Sequence, residues 1–262
     1  MRVIDFHTHV YPQKIAEKAT KSTCDFYDFT PNLIGTTEVL LERGKAAGIT
    51  DFVLLPVATK AEQVRHINEF IADEITEHGE FHGFGTLHAD MEDPLSEIEY
   101  IKASGLLGIK LHPDIQRCNI DDERLFPVYD RIQGDIILLL HLGDTRYDYS
   151  HPRRLKRILE EFPRLKVIAA HLGGWSVFDT AVEYLKDTDC YFDISSSMMF
   201  MTPEKMKSFI SIYGADRVLF GSDFPLWDPK DEVDSFMKLD LSEEDKEKIA
   251  FRNALKILNG EW

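Results

Sequence analysis

The most constraining feature of this sequence is a short apolar run that ends in two histidines. Residues 3–9 read Val-Ile-Asp-Phe-His-Thr-His, so His7 and His9 are two residues apart. On a β-strand this spacing puts both imidazole rings on one face, where they can bind a single metal ion. The competing interpretation is a pair of hydrogen-bonded core histidines, and the rest of the chain decides between the two.

Three more potential metal ligands stand at the ends of later apolar runs. His141 follows Ile-Ile-Leu-Leu-Leu, His171 follows Val-Ile-Ala-Ala, and Asp223 follows Val-Leu-Phe-Gly-Ser. Each of them, taken alone, is also compatible with a polar cap or a turn residue. A metal site needs ligands that converge from different elements, and histidine with carboxylate suits a divalent ion. The set therefore predicts a metal centre, with zinc favoured and manganese or iron as alternatives.

The order of apolar and helical segments predicts the fold. Eight apolar runs predict strands at residues 2–9, 51–57, 81–88, 106–112, 135–141, 165–171, 190–195 and 217–223. Helical periodicity predicts helices at residues 36–48, 61–79, 94–105, 123–133, 152–163, 176–186, 203–214 and 242–258. We predict one domain over residues 1–262 with an α/β fold, a (β/α)8 TIM barrel. A doubly wound sheet is the competitor, but only a barrel brings the carboxyl ends of the first and last strands together.

Composition narrows the classes of partner. The formal net charge is −16, which disfavours binding to nucleic acid phosphates or to anionic lipid. Three widely spaced cysteines, Cys24, Cys118 and Cys190, indicate a reducing compartment without a disulfide framework. No apolar run reaches the length of roughly 18–20 residues that a membrane span needs, and we expect a cytoplasmic protein.

The motifs together resemble those of a known group of enzymes. The Ile-Asp-x-His-x-His opening, the single histidines that close strands five and six, and Gly-Ser-Asp-Phe-Pro at strand eight are similar to the amidohydrolase superfamily. The chain most resembles its amidohydrolase-related branch, which includes aminocarboxymuconate-semialdehyde decarboxylase. The resemblance implies that His7, His9, His141 and Asp223 bind the metal. It also implies that Asp223 is the general base and that His171 binds a nucleophilic water or a second metal.

Lys110 decides the expected number of metal ions. It closes the fourth predicted strand in Gly-Ile-Lys-Leu-His-Pro. In two-metal members of the superfamily, a lysine at this strand is carboxylated and bridges both ions, whereas one metal is usual in the decarboxylase-like branch. We favour one ion, with Lys110 as an ammonium group that binds substrate, and keep two ions as the alternative if Lys110 is carboxylated. A surface or snorkelling lysine is the third interpretation.

The predicted function is metal-dependent hydrolysis of an amide, ester or lactone of a small, carboxylate-bearing substrate. In this mechanism Asp223 takes the proton of the attacking water, and His171 and Lys110 stabilise the developing oxyanion. The alternative is a metal-dependent, non-oxidative decarboxylase of the same fold, and a different class is a non-catalytic binding protein stabilised by a metal. Homodimer formation is an expectation at the level of the family. Residues in the loops and strand ends around the site are predicted to contact substrate: His112, Arg117, Arg146 and Trp175.

Overall fold

Strands and helices alternate along the chain, as predicted. A computed structural model describes all 262 residues. Its strands are β1 (Val3–Thr8), β2 (Ile49–Leu54), β3 (Phe81–Gly83), β4 (Gly85–Thr86), β5 (Gly108–Leu111), β6 (Ile137–Leu140), β7 (Lys166–Ala169), β8 (Tyr191–Asp193) and β9 (Val218–Leu219). Each of the eight predicted runs overlaps a strand, and the third run is divided into β3 and β4.

The helices include three that the periodicity did not predict. They are α1 (Ala16–Tyr27), α2 (Thr37–Ala46), α3 (Val64–Glu77), α4 (Pro94–Ala103), α5 (Pro113–Gln116), α6 (Phe126–Ile132), α7 (Pro152–Glu161), α8 (Phe178–Leu185), α9 (Pro203–Tyr213), α10 (Pro229–Met237), α11 (Glu243–Glu247) and α12 (Asn253–Leu258). A π-helical stretch, Lys248–Arg252, joins α11 to α12 within the predicted closing helix. The helices α1, α5 and α10 were not predicted.

The unpredicted helix α1 has a buried face made of small and polar residues. Its buried side chains are Ala16, Thr20, Cys24 and Tyr27, which are spaced as one helical face. Because only one of them is large and apolar, the stripe gives almost no hydrophobic signal in the sequence. Helix α10 has a local signal instead, since Asp228 accepts a hydrogen bond from the Lys230 N–H and Pro229 opens the helix.

The chain forms two compact units. Unit 1 comprises Met1–Leu55 and Ile194–Glu261, and unit 2 comprises Pro56–Asp193 together with Trp262. In unit 1 all six residues of β1 are buried, and β1 pairs with β2 in parallel. On the other side of β1, the Phe6 N–H donates to the Phe220 carbonyl at 2.9 Å, and the Asp223 N–H donates to the His7 carbonyl at 2.8 Å. The end of β1 therefore lies beside the segment that follows β9.

Unit 2 contains a parallel sheet in which β4, β5, β6, β7 and β8 follow one another in order. The central strands are in register: Lys110 of β5 pairs with Leu139 of β6, and Leu139 pairs with Ile168 of β7. Because the strands are parallel and in register, the residues that follow β5, β6 and β7 lie at the same edge of the sheet. This edge carries His112, His141 and His171.

No helix of this protein is both long enough and apolar enough to span a lipid bilayer.

Candidate active site

The two histidines at the end of β1 are each oriented by a hydrogen bond at Nδ1. His9 Nδ1 lies 2.5 Å from the Leu55 carbonyl oxygen, and His7 Nδ1 lies 3.1 Å from the Ser195 hydroxyl. A carbonyl oxygen only accepts, so His9 Nδ1 must carry the proton, and its Nε2 presents a lone pair. Only 1% of His7 is exposed. Both rings are therefore held on their Nδ1 side, with Nε2 turned toward Asp223.

Asp223 stands where the chain leaves β9, and glycine lets it come close to β1. A Cβ atom at Gly221 would lie 2.7 Å from His7 Cβ, so no larger residue fits there without displacing His7. The Asp5 carboxylate links the same segments, since its Oδ1 accepts from the His7 N–H at 3.2 Å and from the Ser222 N–H at 2.9 Å. Asp223 itself adopts a left-handed backbone with φ of 61°. This local geometry points the Asp223 carboxylate at the two imidazoles.

The distances among these three side chains fit a divalent metal ion. Asp223 Oδ1 lies 3.2 Å from His9 Nε2 and 3.7 Å from His7 Nε2. Two ligand atoms bound to one ion at about 2.0–2.2 Å are separated by roughly 3–3.6 Å, close to these values. The donor set of two imidazoles and one carboxylate also suits zinc, manganese or iron. Unit 1 thus brings together three of the four predicted ligands.

The fourth predicted ligand, His141, belongs to a histidine cluster in unit 2. His141 Nδ1 lies 2.9 Å from His171 Nε2, and its Nε2 lies 3.2 Å from the Gly143 carbonyl oxygen. The His171 N–H donates to Asp193 Oδ1 at 3.1 Å, and His171 has a left-handed φ of 57°. His141 and His171 are therefore in direct contact, as expected for neighbouring strand ends. That His141 shares an ion with His7, His9 and Asp223 stays a prediction.

A second group of metal-ligand residues in unit 2 was not predicted. Ligand atoms of His112, Asp114 and His141 lie within 4.8 Å of one another, and all three residues are buried. The rings of His112 and His141 stack with their centroids 3.9 Å apart and their planes 10° apart. The lone pair of an imidazole lies in the ring plane, so two nearly parallel rings do not aim at a common ion. We assign no metal to this group.

The pKa of the Asp114 carboxyl is raised to about 7, mainly by burial and further by the negative charge of Asp144. Its Oδ2 accepts a hydrogen bond from the Ser150 hydroxyl, which lowers the pKa and opposes the effect of burial. Only 1% of Asp114 is exposed. Asp114 is therefore a proton-binding group near neutral pH beside His141, whose Nε2 lies 3.7 Å from Asp114 Oδ2.

Lys110 is fully buried, with an exposed fraction of 0%. Burial excludes a surface lysine, and the substrate-binding and carboxylated states stay predictions. Its backbone carbonyl accepts from the Thr86 hydroxyl at 2.9 Å, which ties β5 to β4. The chemical state of its side chain stays a prediction.

The four residues predicted to bind substrate all lie in unit 2, in three different settings. His112 is buried and caps α5 by accepting from the Ile115 N–H at 3.3 Å. Arg117 is exposed at the end of α5. Arg146 pairs with Asp144 at 2.6 Å, and its guanidinium lies 5.8 Å from the ring of the buried Trp175. Arg146 and Trp175 therefore lie next to each other. That any of the four residues contacts substrate stays a prediction.

The sequence analysis missed Ser195, Ser196 and Asp114. Ser195 contacts His7, and the Ser196 hydroxyl donates to Asp223 Oδ2. A serine at one position does not by itself indicate a function, so the only signal was the Ser-Ser-Ser run one residue after the end of β8. Asp114 follows a proline in the first turn of α5. An aspartate is common in the first turn of a helix, so its position did not indicate a functional role.

Comparison with known proteins identifies the family. The amidohydrolase family model (Amidohydro_2) matches residues 4–260. The chain belongs to this family. The match confirms the resemblance seen in the motifs, and it extends over both units.

This chain is similar to proteins of known activity or known structure. It is 26% identical to gamma-resorcylate decarboxylase from Polaromonas sp. (strain JS666) over 248 residues, 74% of this chain and 75% of that protein. An uncharacterized TIM-barrel protein from Bordetella bronchiseptica superimposes with a TM-score of 0.77 at 21% identity, covering 99% of each chain. Dihydroxybenzoic acid decarboxylase from Polaromonas sp. JS666, solved with manganese and the inhibitor 2-nitroresorcinol, superimposes with a TM-score of 0.75 at 17% identity, covering 98% of this chain and 96% of that one.

These likenesses confirm the predicted fold. The chain has the TIM-barrel fold, and its parallel strands carry the candidate ligands at their carboxyl ends. In barrels of this kind the active site lies at that end of the strands. The prediction of a single domain stays a prediction.

Proposed function

We propose that this member of the amidohydrolase family is a metal-dependent, non-oxidative decarboxylase of a small aromatic carboxylate of the hydroxybenzoate class. The observation that carries the proposal is the similarity to gamma-resorcylate decarboxylase over three quarters of the chain. It favours the alternative function of the sequence analysis over hydrolysis of an amide, ester or lactone.

The proposed metal ligands in unit 1 are His7, His9 and Asp223, with Asp223 Oδ1 at 3.2 Å from His9 Nε2 and 3.7 Å from His7 Nε2. His141 is the proposed fourth ligand. A divalent ion bound there would supply positive charge to bind and polarise the oxygens of the substrate. Manganese is the first ion to test because one solved structural neighbour contains it, and zinc remains the other candidate.

Decarboxylation requires one proton and releases one molecule of CO2. The bond between the ring carbon and the carboxylate breaks, its electron pair stays on the ring carbon, and that carbon takes up a proton. We propose Asp223 as the proton carrier, because its carboxylate is the acidic group that lies beside the two histidines. His171 is the second candidate for this role. Arg146 and Lys110 are the proposed partners of the negative charge of the substrate.

The test is to incubate the manganese-loaded protein with 2,6-dihydroxybenzoate and to measure CO2 together with 1,3-dihydroxybenzene. In D2O the product should carry one deuterium on the ring carbon that lost CO2. A panel of amides, esters and lactones of small acids is the parallel assay, and His9→Ala is the negative control. Hydrolysis of a panel member with no CO2 release from any hydroxybenzoate would reject the proposal in favour of a hydrolase.

A further inference from the structure

The Ser196 hydroxyl connects the indole of Trp227 to the carboxylate of Asp223. Trp227 Nε1 donates to Ser196 Oγ at 2.7 Å, and Ser196 Oγ donates to Asp223 Oδ2. Ser196 is 3% exposed and Asp223 is 4% exposed, so the hydrogen bond between them is shielded from water. All three residues belong to unit 1.

The direction of this hydrogen-bond chain is fixed by chemistry. An indole N–H can only donate, so the Ser196 oxygen must be the acceptor of the first hydrogen bond. The single hydroxyl proton of Ser196 is then left for Asp223 Oδ2, which is an acceptor when ionised. Trp227 therefore determines the orientation of the Ser196 hydroxyl, and Ser196 determines the orientation of the Asp223 carboxylate.

The backbone at both ends of this link adopts conformations that favour glycine. Ser196 has φ of 47° and Asp223 has φ of 61°, both in the left-handed region. A non-glycine residue is strained in this conformation and persists where the surrounding structure requires that geometry. Trp227 is itself positioned, because Phe29 packs edge-on against its ring at a centroid distance of 5.2 Å. The ring also lines a cavity of about 290 Å³ in unit 1.

We propose that Ser196 and Trp227 are positioning residues that hold Asp223 for metal binding; this inference rests on the proposed metal site. Ser196 retains Oδ2, so that Oδ1 is presented to the histidines at 3.2 and 3.7 Å. The preceding residue acts in the same way on a second ligand, because Ser195 Oγ lies 3.1 Å from His7 Nδ1. Two consecutive serines after β8 therefore orient two different ligands, and Trp227 orients the hydroxyl of the second serine, Ser196.

The first measurement is manganese affinity, by titration of Mn²⁺ alone into the metal-free protein. Hydrogen-bond partners of metal ligands are worth about 10–100-fold in affinity, so Ser196→Ala and Trp227→Phe should each weaken binding roughly tenfold. Trp227→Phe keeps the ring and removes only the N–H. Ser196→Gly also lacks the hydroxyl but tolerates the positive φ, and it should weaken binding as much as Ser196→Ala does. Ser197→Ala is the matched control, because Ser197 donates only to the Ser195 carbonyl.

The double variant decides whether Trp227 acts through Ser196. If it does, Ser196→Ala combined with Trp227→Phe should bind Mn²⁺ about as weakly as Ser196→Ala alone. Additive losses of Mn²⁺ affinity would show that Trp227 does not act through Ser196. Wild-type affinity in both single variants would overturn the positioning role of the two residues.

A second readout needs no metal. In the metal-free protein, the indole N–H resonance of Trp227, assigned with Trp227→Phe, should shift in Ser196→Gly and also in Asp223→Asn. An unchanged resonance in both variants would overturn the inference even with metal binding intact. A wild-type protein that takes up no metal while the resonance still shifts would instead reject the proposed metal site and leave the hydrogen-bond chain in place.

Discussion

At the scale of single residues, the candidate site depends on the hydrogen bonds that the histidine ligands form at Nδ1, the nitrogen that faces away from Asp223. The Leu55 carbonyl requires a proton on His9 Nδ1, and this leaves the lone pair of Nε2 facing Asp223. The Ser195 hydroxyl can serve His7 in the same way, since a hydroxyl accepts as well as donates. Metal-binding histidines generally have their second nitrogen held like this, which fixes both the tautomer and the ring orientation.

Two substitutions should separate metal binding from proton transfer. His9→Ala removes a ligand, so metal content and activity should be lost together. Asp223→Asn keeps one coordinating oxygen but removes the negative charge and the proton-binding oxygen. It should retain a substantial part of the metal while kcat falls by about 10²–10⁴.

Metal content by elemental analysis and kcat under saturating metal are the measurements for this pair. Near wild-type turnover of metal-loaded Asp223→Asn would show that Asp223 is only a ligand. The proton would then have to come from another group, with His171 the next candidate.

Lys110 offers a third test at this scale, because its side chain is fully buried. Lys110→Met keeps most of the volume and removes the charge. If Lys110 is an ammonium group that binds substrate, metal content should remain at one ion per chain while KM rises roughly tenfold or more. A bridging carboxylated lysine predicts instead the loss of one of two ions and partial rescue by short carboxylic acids. Unchanged metal content and unchanged KM would exclude both roles.

At the scale of elements, the strands were more predictable than the helices. Strands buried on both faces, such as Ile137–Leu140, are continuously apolar and stand out in the sequence. Helix α1 was missed because its buried face is built from Ala16, Thr20 and Cys24, which carry little hydrophobic signal. Helix starts with a side-chain cap were easier to predict from the sequence. An example is Ser242, whose hydroxyl accepts from the Asp245 N–H at 3.1 Å.

Helix α10 carries a carboxyl group whose ionisation should alter stability. Burial raises the pKa of Glu232 to about 8, and the negative charges of Asp223 and Asp5 raise it further. Glu232 Oε2 is buried without a hydrogen-bond partner. Because the folded state favours the protonated form, its contribution to stability is complete below the ordinary glutamate pKa. It is lost as the pH rises through about 8.

Glu232→Gln should therefore stabilise the metal-free protein at alkaline pH. At about pH 9 we expect a gain of roughly 1–3 kcal/mol in the free energy of unfolding. This is less than the full linkage value, because the side chain is only partly buried. The gain should vanish near pH 4, as measured by urea denaturation across the pH range. Glu38→Gln, at an exposed position in α2, is the control, and an equal gain in that variant would contradict the assignment to Glu232.

At the scale of the whole molecule, the order of motifs along the chain was more informative than any one of them. Single histidines at strand ends are common, but His7, His9 and Asp223 at the ends of the first and last strands indicated a barrel with a metal centre. The structure places Asp223 Oδ1 within 3.7 Å of the Nε2 atoms of both histidines. Ser196 and Trp227 were not predicted as a pair, because their relation to Asp223 depends on a contact across 31 residues of sequence that no local pattern encodes.

Metal binding should therefore also be measurable as stability of the folded chain. The unfolded chain cannot hold His7, His9 and Asp223 together, because they come from opposite ends of the sequence, so an ion bound by them stabilises only the folded state. A metal concentration of about 100 times Kd should add about 2.7 kcal/mol, which corresponds to a rise in Tm of roughly 5–10 °C over the chelator-treated protein. His9→Ala should show no rise on metal addition, whereas His112→Ala should keep it, because the stacked rings of His112 and His141 do not converge on one ion. If the rise in Tm is retained in His9→Ala and lost in His112→Ala, the metal site lies in the histidine cluster of unit 2 and not in unit 1.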